Sequence, residues 1–191
     1  MGKATNSLSL KGHFLVAMPH MDDPNFAKAV IFLFEHSADG AMGFVVNKNC
    51  PGIDLPSMMT QLNIEMSADA IKSKAVRLGG PCSTDHGFVL HRSDTDMPGS
   101  QSNKQGHSLT NSIEALRHIA SGAMTDDYIV SLGFSGWGPG QLEDELQENI
   151  WLCVDGDDRL LFHHDLDALW QMALAKLGAT PSQLSQFSGQ A

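Results

Sequence analysis

Ala29-Val30-Ile31-Phe32-Leu33-Phe34-Glu35-His36, then Asp39-Gly40, then Gly43-Phe44-Val45-Val46-Asn47, is the stretch that decides the fold. Its first run has no polar alternation and is rich in β-branched and aromatic residues, which describes a strand covered on both faces. Asp-Gly is a turn signal, and the apolar run beyond it returns. The spacing therefore predicts an antiparallel hairpin with Glu35 and His36 at the exit of its first strand.

Outward from the hairpin, His13–Ala17 reads as a buried strand ended by Met18-Pro19, followed by a loop with proline at both ends, Pro19 to Pro24. Asp54-Leu55-Pro56 has the form of a helix start, with Met58, Met59 and Leu62 on one face. Ala75–Leu78 and Phe88–His91 are predicted strands around a tight Gly79-Gly80-Pro81 corner. Residues 94–107 are nearly free of apolar side chains and predict a long surface loop.

Asn111-x-x-Glu114 has capping-box form, and Ile113, Leu116, Ile119 and Ala120 follow at helical spacing before Gly122. Tyr128–Leu132 is a predicted strand feeding a glycine-rich loop, Gly133 to Gly140, that runs into an acidic helix. Ile150–Val154 reads as a further strand and Asp155–Asp158 as a turn. Leu166, Leu169, Trp170, Ala173, Leu174 and Leu177 make the apolar stripe of a final helix closed by Gly178.

Strand pairs on short turns, with helices that do not alternate regularly with strands, predict an α+β fold. The expected architecture is one compact domain over residues 1–191, with a mainly antiparallel, mixed sheet that can curve and is flanked by helices. A doubly wound parallel sheet is the alternative. Residues 1–9 and 180–191 are expected to be peripheral tails.

The 12 Lys and Arg against 22 Asp and Glu leave a formal charge of −10, which repels nucleic acid and anionic lipid. No apolar run approaches the ~20 residues of a membrane-spanning helix, and Met1–Ser9 lacks the apolar core of a secretory signal. Cys50, Cys82 and Cys153 are odd in number and widely spaced, as reduced thiols of a cytoplasmic protein would be.

The glycine loop invites three chemical readings. Phosphate binding needs Gly-Lys-Ser/Thr at the loop's end, whereas Gln141, Leu142 and Glu143 follow Gly140. A nucleophile elbow needs Gly-x-Ser-x-Gly, whereas Trp137 takes the last position after Ser135. A tight structural turn seating Trp137 against the core, with acidic residues complementing their own helix dipole, is the reading that survives. Histidine–carboxylate neighbours such as Glu35-His36 lack metal-ligand spacing, so no metal or cofactor is expected. Lys72, Lys74, Arg77 and Lys104 are too thin a basic set for a DNA-reading helix.

Several separated motifs now carry a resemblance. Gly12-His13-Phe14-Leu15-Val16-Ala17-Met18-Pro19 with Asp23-Pro24-Asn25-Phe26, Glu35-His36, Gly40-Ala41-Met42-Gly43, Asn47-Lys48, Gly79-Gly80-Pro81, Gly87-Phe88-Val89-Leu90-His91 and Gly136–Glu143 occur in that order. The chain closely resembles the YqgE/AlgH family of bacterial proteins from Gly12 to Ala191. Thr110-Asn111, Leu169 and the end Gly189-Gln190-Ala191 depart from the family's usual residues. The resemblance implies a compact, cytosolic α+β domain with no established enzymatic activity, and a label of transcriptional regulator.

The polar residues of the matched set, Asp23, Glu35, His36, Asn47, His91, Gln141 and Glu143, are the candidate binding surface. The leading expectation is a non-enzymatic binding or adaptor protein with an indirect regulatory role, recognising a small molecule or a protein partner. One alternative is a hydrolase-like or transferase-like enzyme with Glu35, His36 and His91 in one pocket. The other is a regulator that binds DNA directly.

Overall fold

The structure, a computed structural model, describes residues 9–67, 75–93, 97–103, 105–124 and 127–187. Strand β9 (Tyr128–Trp137) is the axis of a curled, ten-stranded sheet. Its first half lies between β6 (Cys82–Arg92), antiparallel, and β5 (Ala75–Leu78), parallel, with Arg77 opposite Ser131 and Leu78 opposite Leu132. Its last three residues pair instead with β3 (Gly40–Val45), Ala41 standing opposite Trp137. The change of neighbour falls at Gly133, whose φ is +70° and where a Cβ would stand 2.7 Å from the carbonyl oxygen of Gly80. Only glycine suits that conformation and that approach.

Beyond β3 follow β2 (Val30–Ser37), β1 (Phe14–Ala17) and β10 (Trp151–Val154). Beyond β6 follow β8 (His107–Thr110) and β7 (Gln101–Ser102), while β4 (Asn49–Asp54) pairs β5. The β5–β9 pair is the parallel one among antiparallel neighbours, so the sheet is mixed but mainly antiparallel, as the hairpin predicts.

Strand β2 is buried on both faces. Val30, Phe32 and Phe34 pack with Trp170, Ala173 and Leu174 of helix α5 (Leu166–Lys176) and with Leu160 and Leu161 of α4 (Asp158–Leu161). Ile31 and Leu33 pack on the other side with Leu142 of α3 (Gln141–Gln147), Trp137 and Trp151. A third cluster joins α1 (Leu55–Gln61) and α2 (Ile113–Ala120) to β5, β6 and β9. Full burial of one such side chain is worth about 1.5–3 kcal/mol, so β2 anchors both layers.

Local signals hold at most element ends. Asp54 caps α1 in a reciprocal capping box with Ser57, and Gly178, at φ +68°, follows the end of α5. Three expectations are corrected. Helix α2 is capped by Ser112, not Asn111, and the Ser112 side chain makes no cap bond. Gly133 to Trp137 belongs to β9, so the loop before α3 is only Gly138 to Gly140. Within 94–107, Met97, Asn103 and His107 are buried and β7 pairs β8; residues 94–96 and 104 lie outside the described residues. The polar side chains of that segment serve pairing and ion contacts, which composition cannot distinguish from solvation. In the expected C-terminal tail, α6 (Pro181–Phe187) is helical.

Candidate functional site

Glu145 organises the end of β9. Gln141 and Glu145 stand one helical turn apart on α3, so both present to the same side. The Glu145 carboxylate accepts the indole N–H of Trp137 at 2.8 Å and that of Trp151 at 2.7 Å, both on Oε2, and the Gln141 amide at 2.9 Å on Oε1. Gln141 Oε1 in turn accepts the backbone N–H of Gly138 at 3.0 Å, which closes the turn into α3.

These bonds hold two indoles edge to face, with centroids 6.2 Å apart and planes at 79°. Phe26, from the β1–β2 connection, meets Trp151 in the same manner at 5.5 Å and 81°. Together with Met21, Asp23 and Pro81 they line a cleft of about 280 Å³. The Asp23 carboxylate accepts the backbone N–H of Asn25 at 2.8 Å, which fixes the loop that carries it.

A second pair, at α3, joins a buried imidazole, His36, to a partly exposed carboxylate, Glu143. Residues 31 and 33 of β2 face α3, and strict alternation would send Glu35 there. The register shifts between Leu33 and Glu35, so Phe34 is an extra residue opposite β3. The bulge exchanges the faces of the residues after it. His36 therefore points at α3, where its Nε2 lies 2.9 Å from Oε1 of Glu143, while Nδ1 accepts the backbone N–H of Leu10 at 2.9 Å. That acceptor role places the ring proton on Nε2. Glu143 is held below the usual carboxylate range by its own backbone N–H and by the His36 imidazole. Glu35 is turned elsewhere and pairs with Lys11.

The remaining candidates lie apart. Asn47 Oδ1 accepts the N–H of Val30 at 2.8 Å and its Nδ2 donates to the carbonyl of Lys28 at 2.9 Å, a staple across the hairpin. His91 is buried, with Nδ1 at 2.7 Å from the Arg92 carbonyl and Nε2 at 3.0 Å from Thr110 Oγ1. It stands opposite Tyr128, whereas His36 lies in register with Ala41 and Trp137 at the other end of β9. The two positions are nine residue steps apart on β9, roughly 30 Å along the strand. Of the seven candidates, Asp23 and Gln141 line the cleft, while His36 and Glu143 pair with each other outside its lining. Glu35, Asn47 and His91 do not join it.

Sequence reasoning passed over Glu145, Trp151, Phe26 and Met21. Glu145 reads as one more acid in an acidic first turn; its spacing from Gln141 is the available signal. A further cluster was also unforeseen: His107 Nε2 meets Asp158 Oδ1 at 2.7 Å, and Arg92 reaches Asp158 at 3.0 Å and Asp127 at 2.7 Å. It ties β6 and β8 to α4. Ser135 is buried and donates to the Gly79 carbonyl at 3.1 Å, so its hydroxyl is a packing group. Among the described residues no three His, Cys, Asp or Glu side chains gather as metal ligands would, and no helix is long and apolar enough to cross a membrane.

Fold and cleft together define a class: a curled, mixed-sheet α+β domain with a preformed aromatic and carboxylate cleft at the end of its axial strand. The chain belongs to the AlgH-like family, whose pattern matches residues 14–182. It is 43% identical over 189 residues to a UPF0301 protein of Rhodopseudomonas palustris (strain HaA2), covering 95% of this chain and 87% of that one. A UPF0301 protein of Vibrio cholerae is 42% identical over 188 residues, covering 96% of this chain and all (100%) of that one. The solution structure of the AlgH protein from Pseudomonas aeruginosa superposes with a TM-score of 0.76 at 37% identity, covering 100% of this chain and 98% of that one. A crystal structure from Corynebacterium diphtheriae shares the fold, with a TM-score of 0.70 at 18% identity over 96% of this chain and 93% of that one.

Proposed function

We propose that this protein is a non-enzymatic binding or adaptor protein of the bacterial cytosol, that the Trp137–Trp151 cleft is its recognition surface, and that its part in regulation is indirect. The carrying observation is the internal commitment of the cleft's polar groups. Glu145 accepts three hydrogen bonds from Trp137, Trp151 and Gln141, and Gln141 is spent on Gly138. A general acid or base has to exchange a proton with its substrate, and a group engaged this way serves as scaffold. Asp23 is the remaining carboxylate of the lining, and it comes without a partner acid, base or nucleophile there. The separation of His36 from His91 along β9 speaks against the enzyme reading, and the charge of −10 against direct DNA binding.

What the arrangement offers is a rigid, preformed concavity of aromatic walls with few oriented polar atoms, the form a recognition site takes. A metabolite and partner screen read by the indole N–H resonances of Trp137 and Trp151 tests it. A bound ligand is expected to shift both signals and to be released unchanged. Ligands that leave both indoles unmoved, or that are turned over, would overturn the reading.

A further inference from the structure

We infer that the cleft takes a cationic head group, an alkylammonium or a guanidinium on a short apolar stem. The inference rests on the reading of the cleft as the recognition surface and names what it recognises.

Three aromatic rings, Phe26, Trp137 and Trp151, meet edge to face at its wall. Ring faces carry the negative part of the aromatic quadrupole and attract cations, indole most strongly. Both indole N–H groups donate to a carboxylate oxygen, which leaves the rings richer in electron density and fixes their orientation.

Charge points the same way. Among the described residues the lining holds two carboxylates, Asp23 and Glu145, and neither lysine nor arginine. Lys48 interacts with Asp23 electrostatically, and its ammonium is engaged by the carbonyl oxygens of Pro24 at 3.1 Å and Asn25 at 2.9 Å. An anionic ligand would meet repulsion from both carboxylates. An uncharged one would replace the water around Asp23 and leave its carboxylate with the Asn25 N–H as its one direct hydrogen bond, which costs free energy. A cation is compensated by Asp23, by the aromatic wall that half-buried Phe26 and the edges of the two indoles present, and by the field of a chain with a net charge of −10.

Size narrows the class further. About 280 Å³ holds a head group with a few carbons, below the range of roughly 300–1,000 Å³ that accommodates drug-sized ligands.

The experiment is an NMR titration of the whole chain with n-butylammonium, n-butylguanidinium and uncharged n-butanol, following the indole signals. The two cations are expected to bind on the order of tenfold more tightly than butanol. Asp23→Asn keeps an oxygen for the Asn25 N–H and so leaves the loop held. It is expected to weaken the cations by roughly three- to tenfold and to leave butanol unchanged, with an unaltered melting temperature.

Capped Gly-Lys-Gly and Gly-Arg-Gly peptides distinguish the sources. Tighter binding than the free cations assigns the head group to a basic side chain of a protein partner, and weaker binding assigns it to a small molecule; either result supports the cation class. Butanol binding as well as the cations, or Asp23→Asn binding them as well as the parent, overturns the cation class and leaves the cleft as a recognition surface. Silence from all three probes also overturns it. The wider reading falls only when the metabolite and partner screen is silent at both indoles too.

Discussion

Trp151 donates its indole N–H to Oε2 of Glu145 at 2.7 Å, and that same oxygen accepts the indole of Trp137 at 2.8 Å. One carboxylate thus positions two rings that reach it from different strands, and the geometry of the cleft depends on it.

Glu145→Ala leaves two indole N–H groups unpaired on side chains only 7% and 3% exposed. An unsatisfied buried donor costs about 1–3 kcal/mol, so the variant is expected to lose about 3 kcal/mol in urea unfolding, with altered tryptophan emission. Glu145→Gln retains an oxygen acceptor and is expected to lose less than half as much.

His36 holds the entering chain, since its Nδ1 accepts the Leu10 N–H and its carbonyl accepts the Ser9 hydroxyl at 3.2 Å. His36→Ala removes the first of these and takes one partner from Glu143, whose carboxylate keeps its own backbone N–H and its contact with solvent. A cost of about 2 kcal/mol is expected, with faster hydrogen exchange at the Leu10 amide. Unchanged exchange there would show that the segment is held by its other contacts.

Asp157 links α4 to α5. Its carboxylate pairs first with Arg159, the largest cause, and also with Lys176, and is lowered to about 2. A depressed carboxylate contributes stability that is complete above the unfolded value near ~3.9 and is lost as pH falls through the folded value. The urea midpoint of the parent should exceed that of Asp157→Asn by a constant amount above about pH 5, and the difference should vanish toward pH 2. Added salt should shrink it, because Arg159 is exposed.

Ser135→Ala is expected to cost about 1 kcal/mol, the net worth of the lost bond to Gly79. The parent chain should resist labelling by a fluorophosphonate, because the hydroxyl is buried and has no histidine beside it among its hydrogen-bond partners. Labelling at Ser135 would restore the nucleophile reading.

Gly79→Ala tests the crossing beside β9. A Cβ there would collide with Ser131 Oγ and the Gly133 carbonyl, and Gly79 also gives its N–H to Leu132 and its carbonyl to Val45. The backbone has no room to yield, so a loss of about 3 kcal/mol or more is expected in thermal or urea unfolding.

The hairpin from Ala29 to Asn47 was legible because a strand buried on both faces and an Asp-Gly turn are local patterns. Asp54 and Gly178 were legible for the same reason: a cap is an interaction between residues a few positions apart. The bulge at Phe34 was not, because it is a mismatch of register between two strands, and it alone decides that His36 rather than Glu35 faces α3. Grouping Glu35, His36 and His91 failed on the same ground, since adjacency in sequence and shared polarity carry no information about strand order.

By itself the sequence determined the α+β class, the mainly antiparallel sheet, the apolar faces of the helices and the acidic character of the whole. All of these follow from periodicity, turn chemistry and charge count, which act over short distances or over the entire chain. Only the tertiary structure decided the cleft. It brings Phe26 and Asp23 to Trp151, and Trp137 and Trp151 to one oxygen of Glu145. Such a site is made by hydrogen bonds and ring contacts between elements that meet only after the sheet has closed around β9, and no spacing along the chain encodes that meeting.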